Sequence, residues 1–400
     1  MKLLQLTHKP PVPCVDGGCL AIHQITTCLF DAGVEVKVVS IATDKHPVIR
    51  SEDFIPYCDK TRFESVFINT RVTITKIITS LINRTSLQVD RFFSKEMAQK
   101  LETLCSQEKF DVVILESVFV GNYIETIRKY SQARILLRLH NIEYLIWERL
   151  SKQTKNPLKK VAYRYLATSL KRFELSLFNK IDGYMPITEV DHIFFQKQFP
   201  TLSSKVIPYG IDLSAYQYEN QQIDENNISL FHIGSMNWQP NIEGMTWFLE
   251  NVWKKVAKKH PNLTLVLAGK GNKTIFSNLT ISNVQVFDFV ENAQQFIKSH
   301  DIMIVPLLSG SGMRIKIMEG LALGKPVITT TIGAEGIEIT HKENILIADT
   351  PEAMVQIIDF CVNNLGKCAE IGKNARKLIE CKYTKEIITE ELMDIIVTNF

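Results

Sequence analysis

Arg314, Lys316 and Glu319 follow directly on the loop residues Ser309, Gly310, Ser311, Gly312 and Met313. A glycine loop that opens a helix leaves backbone N–H groups free beside the positive end of the helix dipole, which makes an anion site. Arg314 and Lys316 fall in the first turns of that helix and add positive charge without a metal ion. Glu319, three residues after Lys316, shares its face. A carboxylate so close to a phosphate site suits a sugar diol, whose two hydroxyls donate to its two oxygens. The chemistry in view is recognition of a nucleotide diphosphate with its ribose. The same residues also fit a plain strand-to-helix turn with a solvated helix and an intrahelical pair between Lys316 and Glu319.

The elements that must hold these residues are legible on both sides. The apolar run Ile302 to Leu307, preceded by Asp301, reads as a strand. Gly324 and Pro326 then stop the helix ahead of a second strand, Val327 to Thr330. Similar units recur along the chain. A first strand around Leu3, Leu4 and Leu6 leads to a loop ending in Asp16, Gly17 and Gly18, a helix from Cys19 to Ala32, and a strand from Val34 to Ser40. Further strands are expected at Asp111 to Leu115, Arg134 to Leu139, Gly183 to Ile187, Leu230 to Ile233, Leu263 to Leu267, Val284 to Phe287 and Asn344 to Ala348. Strands alternating with helices predict an α/β protein of two Rossmann-like domains facing a central cleft. The polar run Glu219 to Asn227 is the best linker by composition.

Composition bounds the function. With 45% hydrophobic and 22% charged residues the chain reads as a soluble globular enzyme, and a net charge of +3 is too small to argue for nucleic acid. The eight cysteines form no CxxC pair and read as reduced, mostly buried thiols of an intracellular protein. The apolar start is too short for the core of a signal peptide. With no Asp-x-Asp motif, a catalytic metal is not expected, nor is any cofactor beyond the co-substrate itself.

The stretch from Ser309 to Thr330 resembles the donor motif of family 4 glycosyltransferases, in which two glutamates separated by seven residues span the loop and helix. Glu319 matches the second glutamate, and Ser311 stands where the family has the first. The resemblance implies a GT-B fold, a nucleotide-sugar donor and transfer with retention of configuration. It assigns Glu319 to the ribose and Lys316 to the diphosphate, while Ser311 stands in place of the glutamate that contacts the donor sugar. It also implies donor-side roles for Gly17 and Gly18 after the first strand, for Gly234, Ser235 and Met236, for Lys270, for Val290 near the base, and for Gly312 and Met313 in the loop. Relatives often carry a cation at the end of the Gly234 loop. None occurs here before Lys254, so that duty falls on Arg314, Lys316 and Lys270. His140, in the string from Arg138 to Glu143, matches a family histidine near the donor sugar.

The resemblance also implies an acceptor-binding domain over residues 1–208, with the last helix, about 385–400, returning to it, and a donor domain over 209–384. Two basic stretches, 50–103 and Lys152 to Lys180, are read either as solvated helices or as surfaces for anionic lipid or an acceptor. The chain is thus expected in the cytoplasm, with peripheral contact at the inner membrane face as one option. The functional expectation is a metal-independent hexosyl transfer to a glycan, lipid-linked or other acceptor in polysaccharide or glycoconjugate synthesis. A nucleotide-sugar isomerase or epimerase using Glu116, His140 and Glu143, and a silent nucleotide-sugar binding protein, are the alternatives.

Overall fold

In a computed structural model, residues 1–52, 54–83, 85–219, 223–276, 281–310 and 312–398 are described. The chain divides into two units, Met1–Tyr209 with Ile388–Phe400, and Gly210–Ile387. Both are parallel sheets wound with helices, as the alternation of strand and helix patterns predicts.

The first unit runs β1 (Lys2–Thr7), α1 (Gly17–Asp31), β2 (Glu35–Ala42), α2 (Phe54–Thr61), β3 (Glu64–Phe67), α3 (Ile74–Asn83), α4 (Leu87–Asp90), α5 (Lys95–Gln107), β4 (Val112–Glu116), α6 (Ile124–Tyr130), β5 (Arg134–Leu139), α7 (Glu143–Gln153), α8 (Pro157–Leu177), β6 (Gly183–Pro186), α9 (Glu189–Gln196) and β7 (Ser203–Ser204). Its strands are ordered β3-β2-β1-β4-β5-β6-β7. Alternate residues point to opposite faces of a strand, and the core divides accordingly. Leu4, Leu6, Val113, Leu115 and Leu137 pack against Met97 and Leu101 of α5 and Leu170 of α8. On the opposite face Leu3, Val36, Val38, Ile114 and Leu136 pack against Ile25 and Leu29 of α1 and against Ile388, Leu392 and Ile395 near the C-terminus.

The second unit runs β8 (Ser229–Ile233), α10 (Gln239–Phe248), a π-helical turn (Leu249–Trp253), α11 (Lys254–Lys259), β9 (Thr264–Ala268), α12 (Asn272–Phe276), β10 (Val284–Phe287), α13 (Ala293–Lys298), β11 (Ile302–Val305), α14 (Ile315–Ala322), β12 (Val327–Thr329), β13 (Leu346–Ile347), α15 (Pro351–Asn363) and α16 (Leu365–Lys382), whereas α17 (Lys385–Val397) belongs to the first unit from Ile388 onward. The order β10-β9-β8-β11-β12-β13 repeats the pattern of the first sheet. Leu230, Leu265, Leu267, Ile302, Ile304 and Ile328 form its core with Phe248, Trp253, Met354 and Ile358.

Helix starts follow side-chain caps. Asp16, Ser94, Thr188 and Thr350 accept hydrogen bonds from N–H groups in the first turns of α1, α5, α9 and α15, and Asn156 does so ahead of Pro157. Gly17 and Gly18 are therefore the first residues of α1 rather than a free turn, because Asp16 has already capped the helix. The basic stretch from Lys152 splits into the end of α7 and a new helix at Pro157, since proline is at home only in a helix's first turn. An aspartate staples the amino end of each sheet's first strand. Asp111 accepts from the Lys2 N–H at 2.7 Å, and Asp301 accepts from the Ser229 N–H at 2.8 Å.

Candidate functional site

In each sheet the strand order reverses direction beside the first strand, between β1 and β4 and between β8 and β11. Loops at the carboxyl ends of such a pair diverge and leave a crevice. Polar groups gather at both places.

In the second unit the crevice is built around Gly234, the residue after β8. A Cβ placed on it would lie 2.3 Å from Lys316 Nζ, 2.9 Å from Asn241 Nδ2 and 3.0 Å from His232 Nε2. Only glycine leaves room for the lysine head. Lys316, near the start of α14, donates to Asn241 Oδ1 at 3.0 Å, and Asn241 in turn donates to the Ser235 carbonyl at 2.8 Å. The lysine is thus held by an amide and not by Glu319. Burial, then the neighbouring Arg314, pushes its pKa down to about 7. A half-buried ammonium in that state gains most from a bound anion.

Beneath it His232 is fully buried, and its Nδ1 lies 2.8 Å from the Ile304 carbonyl. That contact places the ring hydrogen on Nδ1 and leaves Nε2 as an acceptor without a partner. Burial and the charge of Lys316 keep the ring neutral by holding its pKa well below the usual value. One turn along α14, Glu319 Oε1 accepts from the Tyr216 hydroxyl at 2.8 Å. Burial raises this carboxyl above its ordinary range, with Tyr216 and Lys316 opposing the rise. Arg376 fixes the strand of chain that carries Tyr216, donating to the carbonyls of Tyr216 and Ala322 at 2.6 Å each.

Arg314 occupies the position just before α14 and is buried, its guanidinium 5.7 Å from the Trp238 ring centroid and donating to the Gly312 carbonyl. Gly310 and Gly312 have φ of +119° and +79°, so the loop folds in a way that other residues resist. Ser311, between them, lies outside the described residues. Ser235 is half-buried in the loop after β8. Met236 enters the hydrophobic core, and its N–H donates to the Lys270 carbonyl at 2.8 Å while the Lys270 side chain is exposed. Gly312, Met313 and Val290 are half-buried, Val290 on the loop beyond β10. Gly234, Arg314, Lys316 and Glu319 thus cluster at α14, with Ser235, Met236 and Lys270 in adjoining loops.

In the first unit, Glu116 ends β4 fully buried. It accepts from Gln5 Nε2 at 2.8 Å, and His140 Nε2 lies 3.0 Å from its other oxygen. Arg138, also fully buried, stands 3.6 Å away. Burial opposes the Glu116 charge, yet Arg138 and His140 hold its pKa below the ordinary range. Burial keeps His140 neutral. Beside it His8, after β1, places Nδ1 2.8 Å from the Glu116 carbonyl, and the two imidazoles meet edge to face with centroids 6.1 Å apart. Lys9 repeats the relationship seen at Gly234. Its Nζ would lie 2.4 Å from a Cβ on Gly18, and it pairs with Asp16 at 2.7 Å, whose other oxygen meets His46 at 3.0 Å. Behind these residues Glu174 accepts from the N–H groups of Glu143 and Tyr144 at 3.2 Å each. Burial raises Glu143 to about 7 and Glu174 to about 8.

Residues 227–364 match the family described as Glycosyl transferases group 1. The structure of Anabaena Alr3699/HepE in complex with UDP aligns over 100% of both chains at 14% identity with a TM-score of 0.67. WaaG, a glycosyltransferase involved in lipopolysaccharide biosynthesis, aligns over 99% of this chain and 100% of its own at 15% identity and 0.66. The fold is GT-B. An uncharacterized 44.6 kDa protein in the cps region of Klebsiella pneumoniae is 23% identical over 393 residues, 96% of each chain. Together these likenesses support a glycosyltransferase.

Tyr216, Asn241 and His232 were not assigned to a site from the sequence, nor were Lys9, Asp16 and His46. Asn241 alone left a local signal, as a polar residue in the first turn after the Gly234 loop.

Proposed function

We propose that the protein transfers a hexosyl group from a nucleotide-diphosphate sugar to a glycan, lipid-linked or other acceptor, with retention of configuration. Lys316 carries this reading, because its ammonium is held at the Gly234 loop by a neutral amide, where an anion would complete its charge. The second unit takes the donor. Lys316, Arg314 and the free N–H groups at the start of α14 stabilise the charge that develops on the departing diphosphate. Glu319 accepts from the two ribose hydroxyls, with Tyr216 orienting it. In this reading Gly17 and Gly18 of the first unit keep their donor-side roles, and the neutral His140, positioned by Glu116, acts near the donor sugar. Attack from the donor's front face lets the leaving diphosphate draw off the acceptor proton, so no protein nucleophile is needed. HepE was crystallised with UDP, and the relatives named for a cps region and for lipopolysaccharide biosynthesis support a polysaccharide or glycoconjugate pathway.

The test is thermal stabilisation by UDP, GDP, ADP and CMP, since a ligand of the folded state raises the midpoint by mass action. One diphosphate is expected to stabilise the wild type and to lose that effect in Glu319→Ala. No stabilisation by any of the four would sink the donor site.

A further inference from the structure

His232 is the one polar side chain among the buried residues of β8. Leu230 and Phe231 register with Ile302 and Met303 of β11, and one position further the His232 ring donates Nδ1–H to the Ile304 carbonyl at 2.8 Å. The same bond makes Nε2 an acceptor, and Nε2 has no partner among the described residues. A buried acceptor left unmet is unfavourable, and it points to a donor that comes within reach in another state of the site.

That donor stands beside it. Lys316 Nζ and His232 Nε2 both lie within 3.0 Å of the point where a Cβ on Gly234 would stand, and Asn241 Nδ2 lies 2.9 Å from it. Asn241 Nδ2 is already engaged by the Ser235 carbonyl at 2.8 Å. A charged lysine has three N–H groups, and Asn241 Oδ1 takes one of them at 3.0 Å. An anion at the loop takes a second. The tetrahedral ammonium then turns its third toward Nε2, across the space that glycine leaves open. The other charged groups that act on the lysine are Arg314 and Glu319, at the start and in the second turn of its own helix. His232, facing it from β8, is kept neutral by burial and accepts without adding charge.

We propose that His232 is a positioning residue for the anion site: with an anion bound, its Nε2 accepts one N–H of the Lys316 ammonium, so that amide, imidazole and anion together hold the charged head at the Gly234 loop. The proposal rests on the donor reading above and adds to it a residue that acts from beneath, through the lysine. Meeting the third N–H favours the charged form of a buried lysine, whose pKa in the free protein stands at about 7. Affinity above that pH therefore depends on the imidazole.

Calorimetric titration of the full-length chain with UDP, GDP and ADP, at about pH 6 and about pH 8, tests it in two variants. His232→Asn keeps an N–H for the Ile304 carbonyl and removes the acceptor at Nε2. His232→Gln puts an amide oxygen where Nε2 stood and gives up the Nδ1 bond. The asparagine variant is expected to keep wild-type stability in urea. It should bind the wild type's nucleotide roughly tenfold more weakly at the higher pH, with less proton uptake, and show a smaller loss at the lower pH. The glutamine variant is expected to be less stable and to bind nearly as the wild type does. The proposal falls if affinity follows stability instead, with the asparagine variant binding normally and the glutamine variant not. It falls equally if the asparagine variant keeps the wild-type pH dependence. Should neither variant fold, nitrogen NMR of the wild-type imidazoles decides, because a bare acceptor nitrogen must become hydrogen-bonded as nucleotide is added. If the wild type binds none of the three nucleotides, the donor reading fails and this proposal with it.

Discussion

Lys316 Nζ sits 3.0 Å from Asn241 Oδ1, in the space that a side chain on Gly234 would need. Two glycines of neighbouring loops therefore separate function from folding. At Gly234 the obstructing atoms are the ends of side chains, which can move aside. At Gly269 a Cβ would lie 2.3 Å from the Gly234 carbonyl oxygen, and φ is +125°. Gly234→Ala is expected to fold with a loss of about 1 kcal/mol or less and to bind the nucleotide at least tenfold more weakly. Gly269→Ala is expected to lose on the order of 2 kcal/mol or more. Urea titration and nucleotide titration of both variants check the contrast.

Anion binding should raise the lysine's pKa again. With the free value at about 7, Lys316 is largely neutral at pH 8, so a diphosphate that restores its charge draws a proton from solution. Calorimetry of UDP binding at pH 8, in buffers of different ionisation enthalpy, is expected to show proton uptake that Lys316→Met abolishes. Affinity should fall as pH rises above about 7. Equal uptake in both proteins would remove Lys316 from the phosphate.

Glu143 and Glu174 carry raised pKa values of about 7 and about 8, so in the folded chain they hold protons that the unfolded chain has released. Their contribution to stability is complete below the ordinary carboxyl value of 4.5 and is lost as pH rises through 7 and 8. Between about pH 5 and 7 this costs up to about 1.4 kcal/mol per pH unit for each group. Glu174→Gln keeps one acceptor oxygen for the two α7 N–H groups and removes the titration. Its stability relative to the wild type is expected to rise with pH, and a difference that stays constant in urea unfolding at several pH values would contradict this.

Glu116 neutralises Arg138 where neither is exposed. Removing it leaves a buried cation, and Glu116→Ala is expected to lose about 3–5 kcal/mol. His140→Ala leaves that pair intact and should lose activity while keeping most of its stability, as measured by urea unfolding alongside transfer assays.

What was legible in the sequence was local. Loop, helix start and cations within residues 309–319 announce themselves by glycines, spacing and the following Gly324 and Pro326, and the structure shows α14 there. Asn241, Tyr216 and His232 acquire meaning only through partners 75, 103 and 72 residues away, and no local pattern encodes such distances. Residues 50–103 resisted for another reason. β3 and α4 are four residues each, too short for periodicity to declare itself. α3 has clear periodicity, but a pattern of apolar residues tells which side chains share a face and not which way that face turns.

The staples at Asp111 and Asp301 have a practical consequence. Each fastens the amino end of a sheet, whereas the residues assigned to chemistry stand at the carboxyl ends, on loops that contribute little to strand pairing. One rim of each unit is chassis and the other is replaceable tooling. Donor preference should therefore be exchangeable between relatives by grafting the loops after β8, β9, β10 and β11 as a set, while a graft that crosses either aspartate would disturb the frame that holds them.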